Sequence, residues 1–259
     1  MIRPRIIPLL LLKGKGLVKT VKFRDPTYVG DPINAVRIFN QKKADELIFL
    51  DIVATKEKRS PSLELITKVA DECFMPFSIG GGITKIEQIK KLLSIGAEKV
   101  SINTAAVENP SFIKDASTIF GSQSIVVSMD VKKNEKGAYE LYIEGGRKKT
   151  NIDPFEFALE MQKRGAGELL INSIDRDGTM EGYDLPLVKK ISDSLDIPVI
   201  AAGGAGNIKD MLDVITLSDA SAAAAGSIFV FHGRRRAVLI DYPSSEDIEN
   251  VLNSHKVVH

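Results

Sequence analysis

The chain has one cysteine, three histidines and no long apolar run among its 259 residues. A lone thiol, Cys73, excludes an internal disulfide and a cysteine-based metal cluster. It stands in VADECFMP, where a buried thiol is expected rather than a nucleophile. His232, His255 and His259 show no ligand spacing, so neither a metal nor any other cofactor is expected. The longest apolar run, IIPLLLL at 6–12, falls far short of the roughly 20 residues of a membrane span. The basic MIRPR precedes it, but no small-residue cleavage site follows, which argues against a signal peptide. The formal net charge is +1, too small an excess for a nucleic-acid surface. The expected location is the cytoplasm, with neither nucleic acid nor membrane as partner.

What is present is an alternation. Hydrophobic residues make up 44% and charged residues 27%, ordinary for a globular chain. Short apolar runs predict strands near Arg5–Leu12, Glu46–Asp51, Pro76–Gly80, Lys99–Asn103, Ile125–Asp130, Glu168–Asn172, Pro198–Ala202 and Ser221–Ala225. Between them lie amphipathic stretches such as DPINAVRIFNQKKA, SLELITKVADE, TKIEQIKKLLSIGA, DPFEFALEMQKRGA and LPLVKKISDSL. Asp31 before Pro32 and Asp153 before Pro154 read as helix N-caps with proline at the first helical position. Eight strands alternating with helices predict an α/β fold, a (β/α)8 TIM barrel; an open doubly wound sheet is the alternative.

An internal repeat favours the barrel. KKADELIFLD resembles RGAGELLINS, and MPFSIGGGITKI resembles IPVIAAGGAGNI, both at an offset of 122 residues. A single barrel over residues 1–259 is expected, with half-barrels of about 1–122 and 123–259. The segment 132–150 reads as a β-hairpin excursion after strand five. The basic run HGRRRAVLI, with Arg234, Arg235 and Arg236, reads as a solvated loop.

In such barrels the active site lies at the C-terminal strand ends. Glycine turns end strands three and seven, and small or hydroxyl residues end strands four and eight. Each half thereby offers a phosphate cradle: Gly81, Gly82, Asn103 and Thr104 in one, Gly203, Gly204, Gly226 and Ser227 in the other. The long polar loop after strand six holds Asp175, Asp177, Gly178 and Thr179. Asp51 and Asp130 close apolar strands, costly positions without a partner or a task. Lys19, after strand one, is a candidate anion contact. At the opposite end, Arg5, Glu46, Lys99 and Glu168 each begin a strand. Two positive and two negative charges can close a ring there, or make separate surface pairs.

These motifs resemble one family across nearly the whole chain. RIIP, VKF, GDP, ADELIFLDI, IGGGI, KVSINTAAV, GSQSIVVSMD, GAGELLINSIDRDGTMEGYD, IPVIAAGGAGN and SIF are similar to the cyclase subunit of imidazole glycerol phosphate synthase. The resemblance implies a half-repeat barrel that receives ammonia from a glutaminase docked on its bottom and delivers it to a bis-phosphorylated substrate at the top. It implies an ammonia gate of Arg5, Glu46, Lys99 and Glu168, and phosphate contacts at Gly82, Asn103, Thr104, Asp177, Gly178, Thr179, Gly204, Gly226 and Ser227. Of the family's two acid–base carboxylates one matches Asp130; the other falls on Leu11, where the family carries aspartate. Asn172 and Ala202 also depart from the usual threonine and serine. Asp177 joins Asp130 as a candidate catalytic residue.

LLLLK and LVKTVKF further resemble a branch of paralogues that work with a glutaminase and a separate sugar amidotransferase to form acetamidino groups on surface-polysaccharide sugars. That resemblance implies a barrel that conveys ammonia, with its cyclase chemistry impaired. The competing expectations are a working cyclase/lyase of histidine biosynthesis and a phosphate-binding barrel without an ammonia role.

Overall fold

A computed structural model describes residues 5–233 and 235–256. Eight parallel strands form the barrel: β1 (Arg5–Lys13), β2 (Leu47–Asp51), β3 (Phe77–Gly80), β4 (Lys99–Ile102), β5 (Ile125–Lys133), β6 (Glu168–Ser173), β7 (Val199–Ala202) and β8 (Ala222–Ala225). Neighbours pair in chain order, and β8 returns to β1, so no barrel edge stays open. The expected barrel is the observed one, with strand limits within a residue or two except at the C-terminal end of β5.

The helices packed around the barrel are α1 (Pro32–Gln41), α2 (Leu63–Glu72), α3 (Ile86–Ile95), α4 (Ser111–Phe120), α5 (Pro154–Lys163), α6 (Leu185–Ser192), α7 (Ile208–Ser218) and α8 (Ser245–Lys256), with short helical turns at Thr104–Glu108 and Ser227–Val230. Asp31 and Asp153 are the N-caps of α1 and α5, each accepting backbone N–H bonds of the first turn. Such a cap stabilises a helix by about 1 kcal/mol.

Strand alternation divides the core into two clusters. Ile6, Leu10 and Leu12 face outward and pack with helix residues such as Val36 and Phe39. Ile7, Leu9 and Leu11 face the bore, with Ile48, Val126, Leu170, Ile200, Ala222 and Ala224. The bore's other wall is polar. Ser78, Ser101, Ser128, Asp130 and Asn172 are all buried.

Two hairpins rise from the C-terminal face. The one expected after strand five is present: β5 pairs antiparallel with Tyr139–Ile143, which pairs with Lys148–Lys149. Another follows β1, with strands Gly16–Val21 and Arg24–Gly30. Lys19 therefore lies in a strand.

The described residues within 232–239 of the basic run after strand eight are exposed, as expected of a solvated segment. The run is no simple loop: Phe231–His232 pairs with Ala237–Val238, and Arg236 is bonded back to the barrel. Arg234 and His259 lie outside the described residues, as does the side chain of His255. Cys73, expected to be buried, is only half-buried; its Sγ donates to Met75 O at 3.2 Å, and burial pushes its thiol pKa up. No helix among the described residues is long and apolar enough to cross a membrane. No metal-binding cluster of His, Cys, Asp or Glu occurs among them.

Candidate functional site

Strand geometry puts the two charged ends of the bore on one axis. At the N-terminal end Arg5 Nη1 lies 3.0 Å from Glu46 Oε2 and Nη2 2.9 Å from Glu168 Oε1. Lys99 Nζ lies 3.4 Å from Glu46 Oε1 and 3.1 Å from Glu168 Oε2. The ring is closed, and each charge touches two of opposite sign. Burial alone would lower the Arg5 pKa, but the two glutamates outweigh it and the pKa rises. Ser78 Oγ adds a hydrogen bond to Glu46 Oε1 at 3.2 Å.

At the C-terminal end a cavity of about 1030 Å³ opens over the bore. Leu11 and Leu50 line one wall; Ser101, Asn103, Thr104, Asp130 and Asn172 line the other. The two strand-closing carboxylates differ in what they meet. Asp51 is held by Arg59, Nη1 to Oδ2 at 2.6 Å, and accepts from Val53 N and Ala54 N. Asp130 meets only the amide of Asn103, Nδ2 to Oδ2 at 3.3 Å, with no ion pair among the described residues. Burial, with the nearby charge of Asp177 adding to it, pushes the Asp130 pKa up to about 7. A carboxyl so placed can give or take a proton near neutrality.

Asp177 and Lys19 form a buried pair, Nζ to Oδ1 at 2.7 Å. Thr20 Oγ1 donates to Asp177 Oδ2 at 2.7 Å, and Phe23 N donates to the same oxygen at 3.3 Å. Both Asp177 and Lys19 border a second, small cavity of about 20 Å³, with Gly178, Gly204, Gly226 and Ser227. Thr179 lies outside its lining, its Oγ1 donating to Arg176 O at 2.9 Å. Asn172 and Asp177 border both cavities. Gly82 (φ 66°) and Gly204 (φ 118°) are required by close contact as well as conformation. A Cβ at Gly82 would lie 2.0 Å from Arg59 O, and one at Gly204 2.2 Å from Gly182 O. Thr104 Oγ1 accepts from Glu144 N at 3.1 Å, which ties the strand-five hairpin to the rim of the large cavity.

Among the described residues Ser101 Oγ, Asn172 Oδ1, Ser192 Oγ and Ser227 Oγ are buried side-chain atoms without a hydrogen-bond partner. Ser192 lies on α6 away from both cavities; the other three line one or both, and such atoms are costly unless a ligand satisfies them.

The sequence pattern of the family described as "Histidine biosynthesis protein" matches residues 5–235. The chain belongs to the HisF family. It is 51% identical over 249 residues to the "Putative imidazole glycerol phosphate synthase subunit hisF2" of Pseudomonas aeruginosa, covering 96% of this chain and 99% of that one. A similarly named subunit, hisF3 of Vibrio vulnificus, is 46% identical, covering 97% of each chain. The "Imidazole glycerol phosphate synthase subunit HisF" of Alkaliphilus metalliredigens is 45% identical over 90% of this chain and 92% of its own.

In this HisF-family barrel Asp130, Asn103, Thr104 and Gly82 share the large cavity, and Lys19, Gly178, Gly204, Gly226 and Ser227 share the small one. The sequence reading missed Arg59, Thr20 and Ser101. Arg59 was hidden in a loop that reads as a solvated charge run, KEKRS. Thr20 and Ser101 carry no signal until the strand register is known.

Proposed function

We propose that this barrel receives ammonia from a glutaminase docked on its N-terminal face and passes it through the bore to a reaction at the mouth or on a partner beyond it. Its own cyclase chemistry is weakened by Leu11. The supporting observation is a contrast within one bore: a complete ring of four charges at one end, and a leucine facing Asp130 at the other. Burying four charges costs desolvation that their attraction barely repays, and packed apolar residues would close the bore at least as stably, so the ring's presence points to a task. A leucine moves no proton, and loss of one general acid–base group costs ~10²–10⁴-fold in rate.

Docking at the N-terminal face is supported by Phe74, in the loop between α2 and β3. It is 88% exposed, and its N–H is fixed to Asn40 Oδ1 at 3.1 Å. A held, exposed aromatic ring is a natural anchor for a partner. The two cradles fit a phosphorylated small molecule. The finer reading is transfer of ammonia to a sugar amidotransferase for acetamidino formation.

A second reading is a working cyclase/lyase of histidine biosynthesis. It is favoured by Asp130, whose carboxyl titrates near 7, in a cavity roomy enough for a bis-phosphorylated ribulosyl substrate. The deciding experiment is ammonia-dependent turnover of that substrate by the purified protein, with ammonium salt and no glutaminase. Little or no turnover by the folded protein is expected. A rate near that of family cyclases would sink the conveying reading.

A further inference from the structure

The hairpin after β8 has no part in the barrel or the ring, yet it is bonded to the site. Its turn holds Arg236 in the left-handed conformation, φ 49°. Non-glycine residues adopt that conformation at a cost, and here a contact accompanies it. Arg236 Nη2 donates to Gly178 O at 3.1 Å, and its guanidinium lies 6.0 Å from the Phe231 ring centroid.

Gly178 is part of the wall of the small cavity. That wall also holds Ser227 Oγ, on a residue 4% exposed, and Asn172 Oδ1, on a residue 5% exposed. Neither oxygen has a hydrogen-bond partner among the described residues. The cation within the wall, Lys19, is neutralised by Asp177 at 2.7 Å. Of the two oxygens, only Ser227 Oγ can donate to an anion, Asn172 Oδ1 being an acceptor, so the cavity offers a donor without net positive charge. A volume of about 20 Å³ is room for roughly one water, so a phosphoryl group must sit at its opening, not inside. Arg236 is bound to that wall with one N–H spent on Gly178 O, out of the five a guanidinium carries.

We propose that Arg236 is the cation that binds the phosphoryl group of a phosphomonoester ligand at the opening of the small cavity. Its remaining N–H groups pair with two phosphoryl oxygens, as a guanidinium does with a phosphate, while Ser227 Oγ meets a third. This rests on the reading of the small cavity as a phosphate cradle, and it assigns the hairpin a role in ligand choice that a barrel without the hairpin lacks.

The bland alternative is that Arg236 only pins the loop at Gly178. Arg236→Gln separates the two, because glutamine keeps a donor for Gly178 O and loses the charge. Inorganic phosphate is titrated into the protein at constant ionic strength, and backbone amide shifts are followed by NMR. Gly204 and Gly226 report the small cavity; Gly82 and Thr104 report the large one. In the wild type Gly204 and Gly226 are expected to shift and saturate. In Arg236→Gln their apparent Kd is expected to rise about tenfold or more, with Gly82 and Thr104 unchanged and Arg236→Lys recovering part. The spectra show at once that each variant is folded. A wild-type Kd retained in Arg236→Gln overturns the proposal, as does a wild type whose Gly204 and Gly226 ignore phosphate. Loss in Arg176→Gln but not in Arg236→Gln would move the role to Arg176. Turnover with ammonium salt tests the conveying reading separately, so either can fail alone.

Discussion

Leu11 and Asp130 occupy matching places in the two halves of the barrel. Each lies on a strand that runs on into a hairpin, and each pairs with the next strand at the same step, Leu11 with Leu50 and Asp130 with Asn172. The first half is apolar at this level and the second polar. One step further along the pattern reverses: Asp51 carries a charge where Ser173 carries a hydroxyl. Asp51 has Arg59 to neutralise it, while Asp130 has an amide. One half thus keeps its carboxylate as structure and the other keeps its carboxylate available to a ligand.

The sharpest way to break this comparison is to equalise the halves. Leu11→Asp is expected to raise ammonia-dependent turnover of the bis-phosphorylated ribulosyl substrate on the order of 10²-fold, a part of what a missing acid–base group removes. Absence of any gain in single-turnover assays would shift the cause to Asn172 and Ala202.

Asp130→Asn removes the available carboxyl. Its folded pKa, about 7, stands above the ordinary 3.8. The folded chain therefore binds an extra proton between about pH 4 and 7, and stability falls as pH rises through that window. The penalty is complete above the folded pKa and absent below the unfolded one. Asp130→Asn is expected to flatten the profile and to gain roughly 4 kcal/mol at pH 8, with little change at pH 4. Urea melts at both values check it; an equal effect at both pH values would mean that Asp130 is ionised throughout.

At the ring the halves again match, with Glu46 and Glu168 in equivalent places, but Ser78 donates only to Glu46. Glu46→Gln is expected to cost about 3 kcal/mol, and Glu168→Gln less by about 1 kcal/mol. The reverse order in equilibrium unfolding would mean that the serine bond adds nothing.

The smallest effect belongs to Arg59→Met. It strips Asp51 of its half-exposed cation and should cost about 1 kcal/mol, since two backbone N–H bonds remain. An unchanged melting temperature would show that those two bonds suffice.

Much of this was readable from residues alone. Strand starts placed four charges on one end of the bore, and Asp–Pro pairs marked two helix starts. The hairpin after β1 was not readable. Its turn, Lys22 (φ 53°) and Phe23 (φ 62°), is left-handed at both positions, where asparagine and glycine are usual, and Pro26 lies within the returning strand. Local chemistry argues against such a turn; contacts distant in sequence override it. The strap after β8 was obscured in the same way, since Arg236 is held by Gly178 rather than by its neighbours. Asp130 was legible as a carboxylate, but its pKa near 7 depends on burial that only the closed barrel supplies.

The turn at Lys22 and Phe23 also sets an order of events during synthesis. Lys22 N donates to Asp177 O at 2.8 Å, and Phe23 N, Thr20 Oγ1 and Lys19 Nζ all reach the Asp177 side chain, 154 to 158 residues downstream. The hairpin thus leaves the ribosome well before Asp177, and it is secured only after 154 or more further residues have followed. Until then the strained turn and the apolar residues Leu17 and Val18 wait exposed, as such segments do when their partners come late. A chain that stalls before Asp177 therefore carries an unlatched first hairpin, the natural target for a chaperone or a protease.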